Sequence, residues 1–152
     1  MSLYNTSREV SPRLLNILVA VAPRRVNIDQ MIRLDYALVH SSDFGGPTSL
    51  FPASKSRLSE ITVKGPVIKA GLHRLVKAGL VSLSFTDQGI LFSASEEASV
   101  YLRLLQGQLA EALREVAFWL AEEAFINDDS SQLSTEFVQR APKWQEQFEA
   151  GA

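Results

Sequence analysis

His40-Ser41-Ser42-Asp43 places an imidazole, two hydroxyls and a carboxylate in consecutive positions. These are the residue types of an acyl-transfer triad, in which an acid orients a histidine that activates a serine. They also include donors of the kind that bind zinc. Neither chemistry follows from adjacency. A triad is defined by its arrangement in space, and a metal site needs three or four ligands where the chain has one further histidine, His73. Gly45-Gly46-Pro47 follows directly and suits a sharp bend, with glycines open to positive φ and the proline fixing the exit. Asp43 then fits best as a cap for backbone amides of that bend.

Asp43-Phe44-Gly45 also spells the magnesium-binding tripeptide of protein kinases. That reading fails, because the chain has no glycine-rich phosphate loop, no H-R-D loop and about half the length such a domain needs. Neither catalytic residue, metal nor cofactor is expected, and an enzyme is the last of three function classes considered.

A second constellation is basic. Lys69, His73, Arg74 and Lys77, with Lys64 just before them, lie on the side of one helical stretch opposite its apolar residues. Such a face neutralises phosphates, and His73 adds a side chain able to read a base edge. A solvated charged face is the plainer explanation. Against DNA, the hairpin tip Thr86-Asp87-Gln88-Gly89 carries an acid and no cation, so a wing there lacks the usual charge for phosphate.

Composition narrows the setting. The chain has 152 residues, 46% of them hydrophobic, enough for one core and too few for two full domains. Cysteine is absent, which removes disulfides, thiolate nucleophiles and cysteine-bound metals. No apolar run is long enough to span a membrane and no secretory leader is evident, so a soluble, cytoplasmic protein is expected. The net charge of −2 hides an asymmetry. Residues 1–94 hold 11 basic against 6 acidic residues, and residues 95–152 hold 4 against 11. The two halves therefore face different partners, or each other.

The elements that position these groups follow from periodicity. "SPRLLNILVAVA" offers Ser11 as a cap and Pro12 in the first turn of a helix, with Leu14, Leu15, Leu18 and Val21 at helical spacing. "NIDQMIRLDYALVHS" is a second helix capped by Asn27, its polar side carrying Gln30, Arg33 and Asp35. Ile61 to Val63 read as a short strand, since Ile, Thr and Val are β-branched. "GPVIKAGLHRLVKAGL" is a helix with Pro66 in its first turn and Gly79 just past its end, and Gly71 on the apolar side marks the close passage of another helix. Val81, Leu83 and Phe85 alternate with serines before a turn at Asp87 to Gly89, and Ile90 and Phe92 resume, which predicts a hairpin with one buried face. Ser95 caps an acid-first helix that runs to about Phe125, with Gly107 as a point of interruption.

The expected fold class is α+β, mostly α. Its core, residues 1–94, is winged helix-turn-helix-like with a β-hairpin wing and an unusually long loop at 42–60. An added long C-terminal helix fills 95–126, and 127–152 form a linker and an acidic aromatic tail. The last helix carries the seam Leu102, Leu105, Leu109, Leu113, Val116 and Leu120, plus Tyr101, Phe118, Trp119 and Phe125. A small domain seldom covers so wide an apolar girth by itself. Leu109, Leu113, Val116, Trp119 and Leu120 are therefore candidates for a protein interface, as is Trp144 in the tail. Phe137, Trp144 and Phe148 either dock on the basic half, bind a partner groove or stay disordered.

Together "LDYALVHSSDFGGPTSLFP", "VKGPVIKAGLHRLVKAGLV", "LSFTDQGILFSAS" and the helix ending "AFWL" resemble the middle component of bacterial ABC-three-component systems, and are similar to the small subunit of Lamassu-type defence complexes. The sharpest element is Asp43-Phe44-Gly45-Gly46-Pro47 after a helix ending in His40-Ser41, and the likeness spans about residues 11–125. The resemblance implies a noncatalytic adaptor bound to an SMC-like ABC ATPase and an effector, often a nuclease. It would link DNA sensing by the ATPase to control of the effector in antiphage or antiplasmid defence, with any DNA contact of its own weak or indirect. The loop at His40 to Pro47 would then be a structural motif or partner loop. The alternative is a winged-helix transcription regulator, a homodimer that reads an operator through the basic helix.

Overall fold

Val10, Leu14, Ile17, Leu18 and Val21 are spaced by three and four residues and all fully buried, the stripe that holds helix α1 (Ser7–Val21) in place. The computed structural model describes residues 7–47 and 57–125 together with Leu133 and Phe137, with the backbone alone at 7–9, 43–44 and 57–64. Helix α1 starts one turn earlier than Ser11 and Pro12 suggest, and Pro12 lies inside it. The proline removes one backbone donor near the helix start. Burial of Val10, one turn before Leu14, outweighs that loss and draws the helix outward. Ser11, expected as the cap, instead donates from Oγ to the Gly71 carbonyl at 3.5 Å.

Helix α2 (Ile28–Val39) begins as expected at Asn27. The Gln30 amide donates to Asn27 Oδ1 at 2.8 Å, and the Asn27 amide donates to Gln30 Oε1 at 2.9 Å. This capping box satisfies two donors that a helix start otherwise leaves unpaired. Two of the three residues of its expected polar side are buried, Gln30 in the capping box and Asp35 in the core. Asp35 is wholly buried and takes a two-pronged ion pair from Arg13, Nε to Oδ1 at 2.8 Å and Nη2 to Oδ2 at 2.9 Å. A buried carboxylate survives only with such a partner, and α1 supplies it.

Helix α3 (Arg57–Lys77) corrects two expectations. Ile61 to Val63 are helical rather than a strand, and Pro66 lies within the helix rather than in its first turn. β-branched residues favour strands only weakly, and a strand needs a partner for its backbone groups. Here the neighbours are the helices α1 and α2, so the chain pairs its amides internally. The long loop expected at 42–60 shrinks from both ends. Ser41–Phe44 form a 3₁₀ turn and α3 begins at Arg57.

Gly79, at φ +77°, ends α3. Leu80 N–H donates to Leu75 O and Gly79 N–H to Val76 O, each at 3.0 Å, the paired bonds of a Schellman ending. Strands β1 (Val81–Thr86) and β2 (Gly89–Ala94) follow as an antiparallel hairpin in which Leu83 faces Phe92 and Phe85 faces Ile90. The Val26 and Phe92 backbones exchange both hydrogen bonds, at 3.0 and 2.7 Å, which ties the hairpin to the link between α1 and α2. The expected buried face exists only at the base. Val81 is buried, whereas Leu83, Ile90 and Phe85 are exposed, Phe85 by 80%. The strands run beyond the helices that could cover them.

The last helical stretch is two helices, α4 (Glu96–Leu104) and α5 (Gln108–Ala124). Gly107, at φ +110°, marks the break. Arg114 reaches back from α5 and donates from Nη1 to the carbonyls of Leu102 and Leu105, at 3.2 and 3.4 Å, at the end of α4. Ser95 sits at the cap position of α4, but its hydroxyl donates to Gly79 O at 2.8 Å and so closes the base of the hairpin instead.

The fold is therefore α+β and mostly α, with five α-helices and a two-stranded hairpin among the described residues. One hydrophobic cluster runs from α1, α2 and α3 through α4 and α5, and Phe137 of the following segment is fully buried in it.

Candidate functional site

Two of the residues that could do chemistry, His40 and Ser41, are buried in the fold. His40 is buried at the end of α2, its ring 4.7 Å from that of Tyr36. Ser41 is fully buried and its hydroxyl donates to Pro47 O at 2.7 Å. Gly46 N–H returns a bond to Ser41 O at 3.0 Å, and Gly45 takes φ +78°. The stretch is thus a closed turn cross-linked by Ser41. A β-carbon at Gly46 would overlap the Trp119 ring, so the turn also packs directly on α5. The side chains of Asp43 and Phe44 lie outside the described residues, and so does the capping role expected of Asp43. Among the described residues no cluster of three or more His, Cys, Asp or Glu could hold a metal ion.

The basic face is where the sequence puts it. Lys69, His73, Arg74 and Lys77 are all exposed on α3, opposite the buried Ile68, Leu72 and Leu75. The Lys64 side chain lies outside the described residues. Gly71, on the buried side, meets α1 as its spacing suggested: a β-carbon there would stand 3.0 Å from Leu14 Cδ1 and 3.3 Å from Val10 Cγ1.

The leucine seam divides. Leu113, Val116 and Leu120 are buried in the chain's own core, and Trp119 is partly buried beneath the Gly46 turn. These side chains are spent on folding and leave little surface for a partner. Leu109 is exposed, and Trp144 lies outside the described residues. Tyr101 and Phe118, part of the wide apolar girth noted in the last helical stretch, are exposed, and the sequence reading missed Leu104 on α4 and Leu83, Phe85 and Ile90 on the hairpin, which are exposed as well. The hairpin signal was available in its alternation, but alternation does not say how far a strand extends past its support. Contiguous exposed apolar residues mark interaction surfaces, and on the hairpin Phe85 and Ile90 stand opposite each other.

No described helix is long and apolar enough to cross a membrane. The family model of the ABC-three component (ABC-3C) system Middle Component 2 matches residues 3–147, and the chain belongs to that family. No curated protein and no solved structure matches it.

Proposed function

From membership of the Middle Component 2 family, we propose that this component of an ABC-three-component system is its noncatalytic adaptor. In this reading it binds an SMC-like ABC ATPase and an effector, a nuclease of the antiphage or antiplasmid type, and couples DNA engagement by the ATPase to restraint or release of that effector. The family match carries the proposal, and two features support it. His40 and Ser41 of the glycine-rich turn are buried, Ser41 bonded to Pro47 O, and apolar surface stands open on the hairpin, α4 and α5. The adaptor acts in the cytoplasm.

The test is purification of the tagged chain from its native host at native expression level. Stoichiometric recovery of an ABC ATPase and an effector is expected, and recovery of a lone homodimer overturns the reading.

A winged-helix regulator is the second reading, supported by the exposed Lys69, His73, Arg74 and Lys77 and by the order helix, bridge at Val26, two helices and hairpin. It requires a discrete DNA site bound at roughly 10⁻⁸ M or tighter at physiological salt. Unchanged DNA binding and function after alanine replaces Arg74 and Lys77 would remove it.

A further inference from the structure

A groove of about 340 Å³ lies between α1, α4 and α5, walled by Val19 and Ala20 of α1, Leu102 of α4 and Phe118 of α5. That volume suits one or two large apolar side chains, and its walls are mainly apolar. Two charged residues line it, Arg103 and Arg114. Arg103 is exposed in the last turn of α4. Arg114 uses Nη1 on the carbonyls of Leu102 and Leu105, and a guanidinium carries further donors on Nε and Nη2. The groove thus pairs an apolar floor with a cationic edge.

The opposite flank has the other sign. Helical spacing sets Glu111, Glu115 and Glu122 on the side of Phe118 turned away from Arg114 and Ala121, and all three are exposed. A nucleic-acid backbone laid across Phe118 would meet these carboxylates and be repelled. A polypeptide that places its own acids on the arginine side alone meets no such penalty. Phe118, 63% exposed, is the ridge between the two fields.

We infer that this groove seats an amphipathic helix of another subunit, which inserts apolar anchors between Ala20 and Phe118 and sets a carboxylate against Arg103 and Arg114. Helix-in-groove recognition uses anchors at i, i+3 and i+4, and bidentate arginine–carboxylate pairing fixes the register. The inference rests on the adaptor reading and names the surface and the chemistry through which the adaptor would be held.

The test is photo-crosslinking in the assembled complex, with p-benzoylphenylalanine in place of Phe118 and the adduct identified by peptide mass spectrometry. The expected adduct is a segment of another subunit with Asp or Glu beside large apolar residues. Arg103→Glu, at an exposed position, is expected to lower its yield at least tenfold without changing the melting temperature of the free chain. An adduct with this chain's own C-terminal segment, with a second copy, or with a segment lacking carboxylates overturns the inference, as does no adduct in an intact complex. Those outcomes leave the adaptor reading standing, whereas failure of the subunits to copurify removes both.

Discussion

Gly46 lies against the indole of Trp119, with no room for a β-carbon between them. The contact joins the turn after α2 to a helix more than 60 residues later in the chain. It explains why two adjacent glycines are needed for different reasons. Gly45 holds φ +78° in open space, while Gly46 must be small.

Gly46→Ala is expected to destabilise the chain by about 1–3 kcal/mol through overpacking, and Gly45→Ala by about 1–2 kcal/mol through its left-handed backbone. Urea unfolding of each variant with and without Trp119→Leu separates the causes. The smaller side chain should recover much of the loss at Gly46 and none at Gly45. Equal coupling to both would mean that the indole contact is not what excludes a side chain at Gly46.

Arg13 and Asp35 pin α1 to α2 from inside the core, with 1% and 0% of their side chains exposed. Asp35→Ala leaves a buried guanidinium without this carboxylate and should cost about 3–5 kcal/mol. The double replacement Arg13→Met with Asp35→Leu removes both desolvation penalties and should come within roughly 1 kcal/mol of the parent. Denaturant midpoints at constant slope provide the measurement. A double variant as unstable as Asp35→Ala would show that the pair does more than balance its own burial.

At Gly71 two effects oppose. Alanine gains about 1 kcal/mol of helix propensity, and overpacking against Leu14 and Val10 costs about 1–3 kcal/mol. Both neighbours are fully buried and must shift to admit a β-carbon, so a net loss is expected for Gly71→Ala and a larger one for Gly71→Val. A thermal melt that rises in Gly71→Ala would mean that α1 and α3 separate easily.

The divided leucine seam gives a clean contrast. Leu113→Asp buries an unpaired charge and should prevent cooperative folding. Leu109→Asp, at a position 56% exposed, should change stability by no more than about 0.5 kcal/mol. Circular-dichroism melts check both. Only the second variant can report on a partner interface, because the first destroys the domain that would form it.

Sequence periodicity and capping chemistry were sufficient for α2, the α3 ending, the presence of the hairpin and the break at Gly107, since each is decided within a few residues. The cap at Asn27 and the turn at Gly79 need no distant neighbour to be favourable. The basic face was legible from helical spacing: Lys69, His73, Arg74 and Lys77 fall opposite Ile68, Leu72 and Leu75, and all four are exposed.

What tertiary structure alone decided was the fate of residues whose local preference is weak or divided. Ile61 to Val63 are helical as part of α3, which packs against α1 and α2. Pro12 was overridden by the buried stripe through Val10, and Asp35 turned inward because Arg13 waits on α1. The leucine seam reads as one continuous face in sequence, yet its middle is consumed by the core while Leu109 and Phe118 remain outside. Periodicity assigns a residue to a side of its helix; only the positions of the other helices decide how much of that side is covered.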